Sequence, residues 1–309
     1  MQPSLTILIP VYNDFASLRL LLQEFDSLLA RSYALDVVVI DDASPESNRQ
    51  LPGYSFKLTV LRLIRNLGHQ QAIAIGLSYI RDRKQSNIVV VMDGDGEDKV
   101  SDIPSLLAQQ KSGEIVFARR QKRHAGLFFQ LGYWFYQILF FGLTGKRIKF
   151  GNFSCLPASA LNPLTHYSEL WNNYPGTVLK SGIPNRSVPL DRGKRLAGQS
   201  KMNLTALILH GVGSMAVFTE LIITRILIFS FGLMSLSLLS LFIILLVKLG
   251  TSWAIPGWAS TVGSSVFIIF LISLLLSLLS LFIFFSSRQQ QRSIPATDYR
   301  LYLEDPEMH

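Results

Sequence analysis

The chain has 309 residues, with 29 basic and 21 acidic side chains, a net charge of +8 and a mean hydropathy of +0.32. That much apolar residue excludes a disordered or collagen-like polymer, and the single cysteine, Cys155, excludes an internal disulfide framework and a zinc cluster. The apolarity is local. Residues 226–287 carry one charge, Lys248, and the remainder has an ordinary globular composition, which describes a soluble domain of about 200 residues on a membrane anchor.

The first ten residues have no basic leader and Pro10 stops their apolar run, so they predict a first strand rather than a signal peptide. Residues 5–10, 36–40, 57–63, 87–92 and 115–118 are short apolar runs of strand character. Residues 15–29 and 70–81 repeat their apolar side chains with helical period. This alternation predicts an α/β fold with a mainly parallel sheet and helices on its faces. Ligands of such sheets bind outside the C-terminal strand ends. Three of the predicted strands end in polar sets, Tyr12-Asn13-Asp14, Asp41-Asp42 and Asp93-Gly94-Asp95, which points to one site.

The loop Asp93-Gly94-Asp95-Gly96-Glu97-Asp98 directly follows a predicted strand. Its two glycines allow a tight turn that aims several carboxylates at one spot. Hard oxygen ligands suit Mg²⁺ or Mn²⁺, and Mg²⁺ is commonly held by one or two carboxylates plus substrate phosphates. An acidic surface turn is the alternative for such a motif alone; the strand before it and the absence of a Walker-type loop favour a metal-diphosphate site. The spacing lacks the twelve-residue frame of a calcium loop.

Residues 126–143 carry no charge but are aromatic rather than aliphatic, with basic clusters on both flanks, including Arg119, Arg123, Lys146 and Arg147. A spanning helix would carry one cluster across the bilayer, against the positive-inside bias, so the stretch predicts a helix in the headgroup layer ahead of a core helix or a true span. Further on, Arg192-Gly193-Lys194-Arg195-Leu196-Ala197-Gly198-Gln199-Ser200-Lys201 is a glycine-broken basic loop. Its cations suit phosphate oxygens, of a substrate or of anionic lipid. Residues 203–225 predict a juxtamembrane amphipathic helix interrupted by His210 and Glu220.

Residues 226–247 and 262–285 are each long enough to cross a bilayer as a helix. Arg225 precedes the first, Arg288 and Arg292 follow the second, and the link between them is uncharged. Both termini and the soluble domain are therefore expected on the cytoplasmic side of the inner membrane, in a multi-pass arrangement. Scattered serines in both spans would permit helix association and a homo-oligomer. Nucleic-acid binding suits the charge but not the spans. Residues 288–309 form a charged tail that either packs back on the domain or stays disordered.

With these motifs in place, the chain resembles the family 2 glycosyltransferases of the polyprenyl-phosphate type, such as dolichyl-phosphate mannose synthases and bactoprenol glucosyltransferases. Ile9-Pro10-Val11-Tyr12-Asn13-Asp14 is similar to the family's opening nucleotide motif, Val39-Ile40-Asp41-Asp42-Ala43-Ser44 to its V-D-D-x-S turn, and Arg65-Asn66-Leu67-Gly68 to its R-N-x-G. The acidic loop resembles M-D-x-D-x-Q-D, and Arg195 to Lys201 resembles R-x-x-G-x-S-K. Five motifs in order, followed by a two-helix hairpin, carry the resemblance along nearly the whole chain.

The resemblance implies a GT-A (Rossmann-like) nucleotide-sugar-binding domain over residues 1–202, with inversion at the transferred sugar. It implies that Pro10, Tyr12, Asp14, Asp41 and Asp42 hold the nucleoside, with a UDP-sugar favoured, and that Asp93 lies at the donor. Asp95 and Glu97 would face Mg²⁺ or Mn²⁺ bridging the diphosphate. Arg119, Arg123, Arg195, Ser200 and Lys201 would meet acceptor or donor phosphate, and Asp93, Asp95 and Arg195 would carry catalysis. The partners implied are a nucleotide sugar, a polyprenyl phosphate and the bilayer. One departure stands out: where the family reads G-D-F-R-L, this chain has Gly151-Asn152-Phe153-Ser154-Cys155, without the acid and the arginine. A second is the lack of basic residues at the start of the aromatic helix. His69, beside the R-N-x-G turn, reads as a structural histidine ahead of a donor contact.

The function expected is sugar transfer from a nucleotide sugar to a polyprenyl phosphate at the cytoplasmic membrane face, for cell-envelope glycan or glycolipid modification. Two alternatives are a transferase acting on a glycan hydroxyl, with Asp93 or Glu97 as base, and a non-catalytic nucleotide-sugar-binding membrane protein.

Overall fold

A computed structural model describes residues 2–45, 51–83, 87–111, 113–120, 127–147, 150–198, 211–251, 257–289 and 292–304. Among these, the strands are β1 (Ser4–Val11), β2 (Ala34–Asp41), β3 (Lys57–Arg62), β4 (Ile88–Val91), β5 (Ile115–Arg120), β6 (Ser154–Pro157) and β7 (Asn185–Leu190). The helices are α1 (Phe15–Leu28), α2 (His69–Arg83), α3 (Ile103–Ala108), α4 (Leu127–Thr144), α5 (Ala158–Thr165), α6 (Tyr174–Ser181), α7 (Thr219–Gly250) and α8 (Trp258–Gln289), followed by the short turn Pro295–Asp298.

The strands form one sheet in the order β3-β2-β1-β4-β6-β5-β7. Alternate side chains leave a strand on opposite faces, and β1 and β2 are apolar on both. Ile7, Ile9, Val37 and Val39 therefore join one core with Phe15, Leu18 and Phe25 of α1. Leu8, Val38 and Ile40 join a second core with Ile73, Ala74 and Leu77 of α2 and Leu161 and Leu164 of α5. Burial on both faces explains why these strands are continuous apolar runs rather than alternating ones.

The parallel pairing of β1 with β2 and with β4, in register at Val11↔Asp41 and Leu8↔Val91, brings their C-terminal ends to one edge of the sheet. The expectation of a mainly parallel sheet holds with one exception. β6 enters between β4 and β5 antiparallel to both. It consists of four residues, too few to signal a strand by periodicity, and it carries the Asn152 segment up to the same edge.

The chain divides into two compact units, one of Met1–Gln137, Arg147–Val217 and Arg292–His309, the other of Ile138–Lys146 and Phe218–Gln291. Within the second, α7 and α8 are long and apolar enough to cross a membrane. Both are exposed along most of their length, as in a membrane protein. Ser230 and Ser237 of α7 and Ser273, Ser277 and Ser280 of α8 are buried in this unit. The helix α7 begins at Thr219, so residues 219–225 continue into it, and the end of the predicted 203–225 helix belongs to the span. Residues 199–210 lie outside the described part; residues 211–216 are helical. The predicted aromatic helix is present as α4, with Trp134 59% and Phe135 63% exposed.

Phe25, fully buried under α1, is the simplest probe of this core. Phe25→Ala is expected to cost about 3–5 kcal/mol, measurable as a lowered unfolding midpoint of the full chain in detergent.

Candidate active site

The edge formed by the C-terminal ends of β1, β2 and β4 carries the predicted acidic groups. Pro10 and Val11 are buried in β1, and Tyr12, the next residue, is 45% exposed and presents its ring beyond the sheet. Asn13 and Ala43 have φ of 50° and 56°, left-handed values that cost a non-glycine residue about 1–2 kcal/mol. They sit on adjoining loops, which are tied together where Asn13 N–H donates to Ser44 Oγ at 2.7 Å. Such strain is tolerated where surrounding contacts over-determine the backbone.

Asp41 and Asp42 differ in what they hold. Asp41 is buried, accepts from Ser44 N–H at 2.9 Å and lies 4.0 Å from Arg62 Nε, so it fastens its own turn. Asp42, 2% exposed, accepts from Leu67 N–H at 2.7 Å and Gly68 N–H at 2.8 Å. The Arg65-Asn66-Leu67-Gly68 turn is thus a clamp for this carboxylate. Burial pushes Asp42 above the ordinary aspartate range, against the lowering effect of those two amides. A carboxylate has about four acceptor sites, so two bound amides leave it capacity for a base N–H.

The acidic loop follows β4. Asp93 N–H donates to Asp98 at 3.2 Å, and Glu97 N–H donates to Asp95 at 3.0 Å. Gly96 has φ of +80°, and a Cβ there would stand 2.3 Å from Leu196. Leu196 belongs to the basic loop, which lies directly on the acidic one. Gly193 N–H donates to Glu97 O at 2.8 Å and Leu196 N–H to Asp95 O at 3.0 Å. A Cβ on Gly193 would meet Gly96 O at 2.9 Å, so glycine permits the close approach.

Arginines complete the contact. The Arg195 guanidinium donates to Asp14 and, at 3.2 Å, to Asp95 Oδ2; Arg192 pairs with Glu97. Two cations thereby offset most of the charge of three carboxylates in partly buried surroundings, where such pairs act more strongly than at an open surface. Among the described residues no three acidic or imidazole side chains converge to hold an ion alone. Two carboxylates suit a divalent ion when diphosphate oxygens and water supply the other ligands.

A second network, which the sequence did not bring together, reaches Asp93. His69 Nε2 lies 3.2 Å from Asp93 Oδ1, and Asn152 Nδ2 lies 2.9 Å from the same nitrogen. Gln70 Nε2 donates to Asn152 Oδ1 at 3.1 Å, and its oxygen accepts from Tyr174 N–H at 2.7 Å. Tyr174 OH and Ser154 Oγ are 2.7 Å apart. Crowding by protein opposes protonation of His69, but Asp93, Asp95 and Asp42 outweigh it and raise its pKa above the ordinary value. His69 therefore stands against the acidic loop, satisfied by protein partners as the structural reading expects. Its one sequence signal was its place directly after the R-N-x-G turn.

Arg119 stands exposed near the end of β5, in register with Pro189. Arg123, Ser200 and Lys201 lie outside the described residues. Cys155 is buried, and burial raises its thiol to about 12, which makes it an apolar filler.

A parallel-edged α/β sheet whose strand ends gather carboxylates and guanidiniums is the frame of an enzyme that handles a nucleoside diphosphate. The chain belongs to glycosyl transferase family 2, whose family model matches residues 6–163. It is a glycosyltransferase. It is similar to the uncharacterized glycosyltransferase YkcC of Bacillus subtilis, 26% identical over 267 residues that cover 83% of this chain and 81% of the relative. It is also similar to the undecaprenyl-phosphate 4-deoxy-4-formamido-L-arabinose transferase of Klebsiella pneumoniae, 24% identical over 269 residues covering 82% and 79%. Among solved structures, glucosyl-3-phosphoglycerate synthase from Mycobacterium tuberculosis, in complex with Mn²⁺, UDP and phosphoglyceric acid, superposes with a TM-score of 0.50 at 14% identity, covering 71% of this chain and 78% of that one. The shared fold is GT-A.

The fit of Gly96 beneath Leu196 gives a direct test. Gly96→Ala is expected to cost about 1–2 kcal/mol of stability and to lower sugar transfer well below that of Gly53→Ala. Gly53 has open space around it. Thermal melts and transfer assays on the two variants make the comparison.

Proposed function

We propose that the protein transfers a sugar from a nucleotide sugar, a UDP-sugar in the favoured case, to a polyprenyl phosphate at the cytoplasmic face of the membrane. The observation that carries this reading is the interlock of Asp14, Asp95 and Glu97 with Arg195 and Arg192 at the strand ends. It gathers groups for both a metal and a diphosphate at one point. The Klebsiella pneumoniae relative is named as a transferase of undecaprenyl phosphate, which supports the acceptor class. The exposed aromatic face of α4 and the two apolar helices support a lipid-borne acceptor.

On this reading Tyr12 stacks on the base, Asp42 accepts from it, and Pro10 and Asp14 shape the nucleoside subsite. Asp95 and Glu97 would hold Mg²⁺ or Mn²⁺, which when bound neutralises the diphosphate and polarises it as a leaving group. Arg195 and Arg192 already stand against those carboxylates and so can share the leaving-group charge. Asp93, braced by His69, faces the donor. The acceptor phosphate oxygen attacks the anomeric carbon, the bond to the diphosphate breaks with its electron pair, and configuration inverts. An anionic phosphate needs no base. Asn152, at the position where the resemblance implies an acid, is consistent with that. Arg119, Arg123, Ser200 and Lys201 are assigned to acceptor or donor phosphate. The soluble unit and both termini face the cytoplasm of a multi-pass membrane protein.

Membranes containing the protein are to be incubated with labelled UDP- and GDP-sugars and undecaprenyl phosphate. An organic-soluble product is expected with one donor, abolished by chelation, and Asp95→Ala should slow its formation on the order of a hundredfold or more. A product confined to glycan or glycolipid hydroxyls would overturn the acceptor assignment. Wild-type turnover by Asp95→Ala would overturn the metal assignment.

A further inference from the structure

Beyond α8 the chain returns to the catalytic unit and fastens to it over residues 292–304. Arg292 pairs with Glu169 at 3.0 Å, Trp171 Nε1 donates to Ser293 O at 3.2 Å, and Arg81 donates to Ala296 O at 2.7 Å. Tyr299, 4% exposed, donates to Asp82 at 2.7 Å, and the same carboxylate accepts from Arg300 at 2.9 Å. Tyr302 meets the Trp171 ring edge-on at 5.5 Å. The segment then pairs with the sheet. Leu303 bridges Leu63 antiparallel, Ile64 N–H donates to Tyr302 O at 3.0 Å, and Glu304 N–H donates to Arg62 O at 2.9 Å.

The place of this pairing matters more than its extent. β3 is an edge strand, and an edge exit held on one side only is prone to local opening. Its exit leads directly into Arg65-Asn66-Leu67-Gly68, whose last two amides hold Asp42. Arg62 joins the two sides, lying 3.4 Å from Glu304 Oε1 and 4.0 Å from Asp41 Oδ2. Asp41 in turn fastens Ser44, and Ser44 fastens Asn13. The tail bridge therefore ends a chain of contacts running through every loop assigned to the nucleoside.

We propose that residues 292–304 act as a strap that orders the nucleoside subsite, with Tyr302 and Glu304 as positioning residues acting through Arg62 and the Leu67–Gly68 amides on Asp42. The proposal rests on the reading that this edge receives the nucleoside of the donor. The strap touches no reacting atom, so its signature is in donor affinity rather than in the chemical step.

The test uses the full chain in nanodiscs and three variants: Glu304→Pro, which removes the donor N–H and the carboxylate; Glu304→Gln, which keeps the N–H; and a chain ending at Ser293. Hydrogen exchange over residues 64–68 of the ligand-free protein is expected to quicken about fivefold to tenfold in Glu304→Pro and the shortened chain. Donor KM should rise by a similar factor, with kcat and acceptor KM within about twofold of wild type. Glu304→Gln, which loses the Arg62 ion pair but keeps the backbone bond, should quicken exchange less than Glu304→Pro. Unchanged exchange at 64–68, unchanged donor KM despite faster exchange, or equal losses in donor and acceptor KM would each overturn the strap. If wild-type protein uses no nucleotide sugar, the functional reading fails by itself, and the exchange data still decide whether the tail orders the turn.

Discussion

Like charges gathered at one edge of a sheet repel each other, and the structure depends on how this chain manages that repulsion. Asp14, Asp95 and Glu97 come from two loops, and Arg195 and Arg192 reach them from a third. The guanidiniums let the carboxylates sit close together before any ligand arrives. They also bring the basic loop onto the acidic one, where backbone bonds from Gly193 and Leu196 hold it. Preorganisation of this kind lowers the reorganisation needed when charge develops in a transition state.

Much of the scaffold was legible because strands buried on both faces and amphipathic helices leave strong periodic signals. β1, β2, β4, α1 and α2 were all foreseen within a few residues, and so was the convergence of their polar ends. The reversed strand β6 was not, because direction is a property of pairing and Ser154–Pro157 has no pattern of its own. The pairing of Arg195 with Asp14 spans 181 residues, and local sequence cannot encode which cation meets which anion. What the motifs supplied was the right residue types in the right loops.

The Asn152 departure becomes intelligible only with His69 beside it. An acid at 152 would add a third negative group near Asp93 and Asp95. The amide instead accepts from Gln70 and lies 2.9 Å from His69 Nε2, and through Gln70 it reaches the buried Tyr174. The motif resemblance marked the position as a loss. Structurally it is an exchange of charge for a hydrogen-bonded brace, and the histidine supplies the partner that Asp93 needs.

The buried serines of α7 and α8 lead elsewhere. Ser230, Ser237, Ser273 and Ser277 each donate to the carbonyl four residues back, so their hydroxyls are satisfied within their own helices. At these four positions serine's small size, rather than a hydroxyl bond to the other helix, is what serves the packing. A side chain larger than serine at any of these buried positions would therefore have to displace the neighbouring helix.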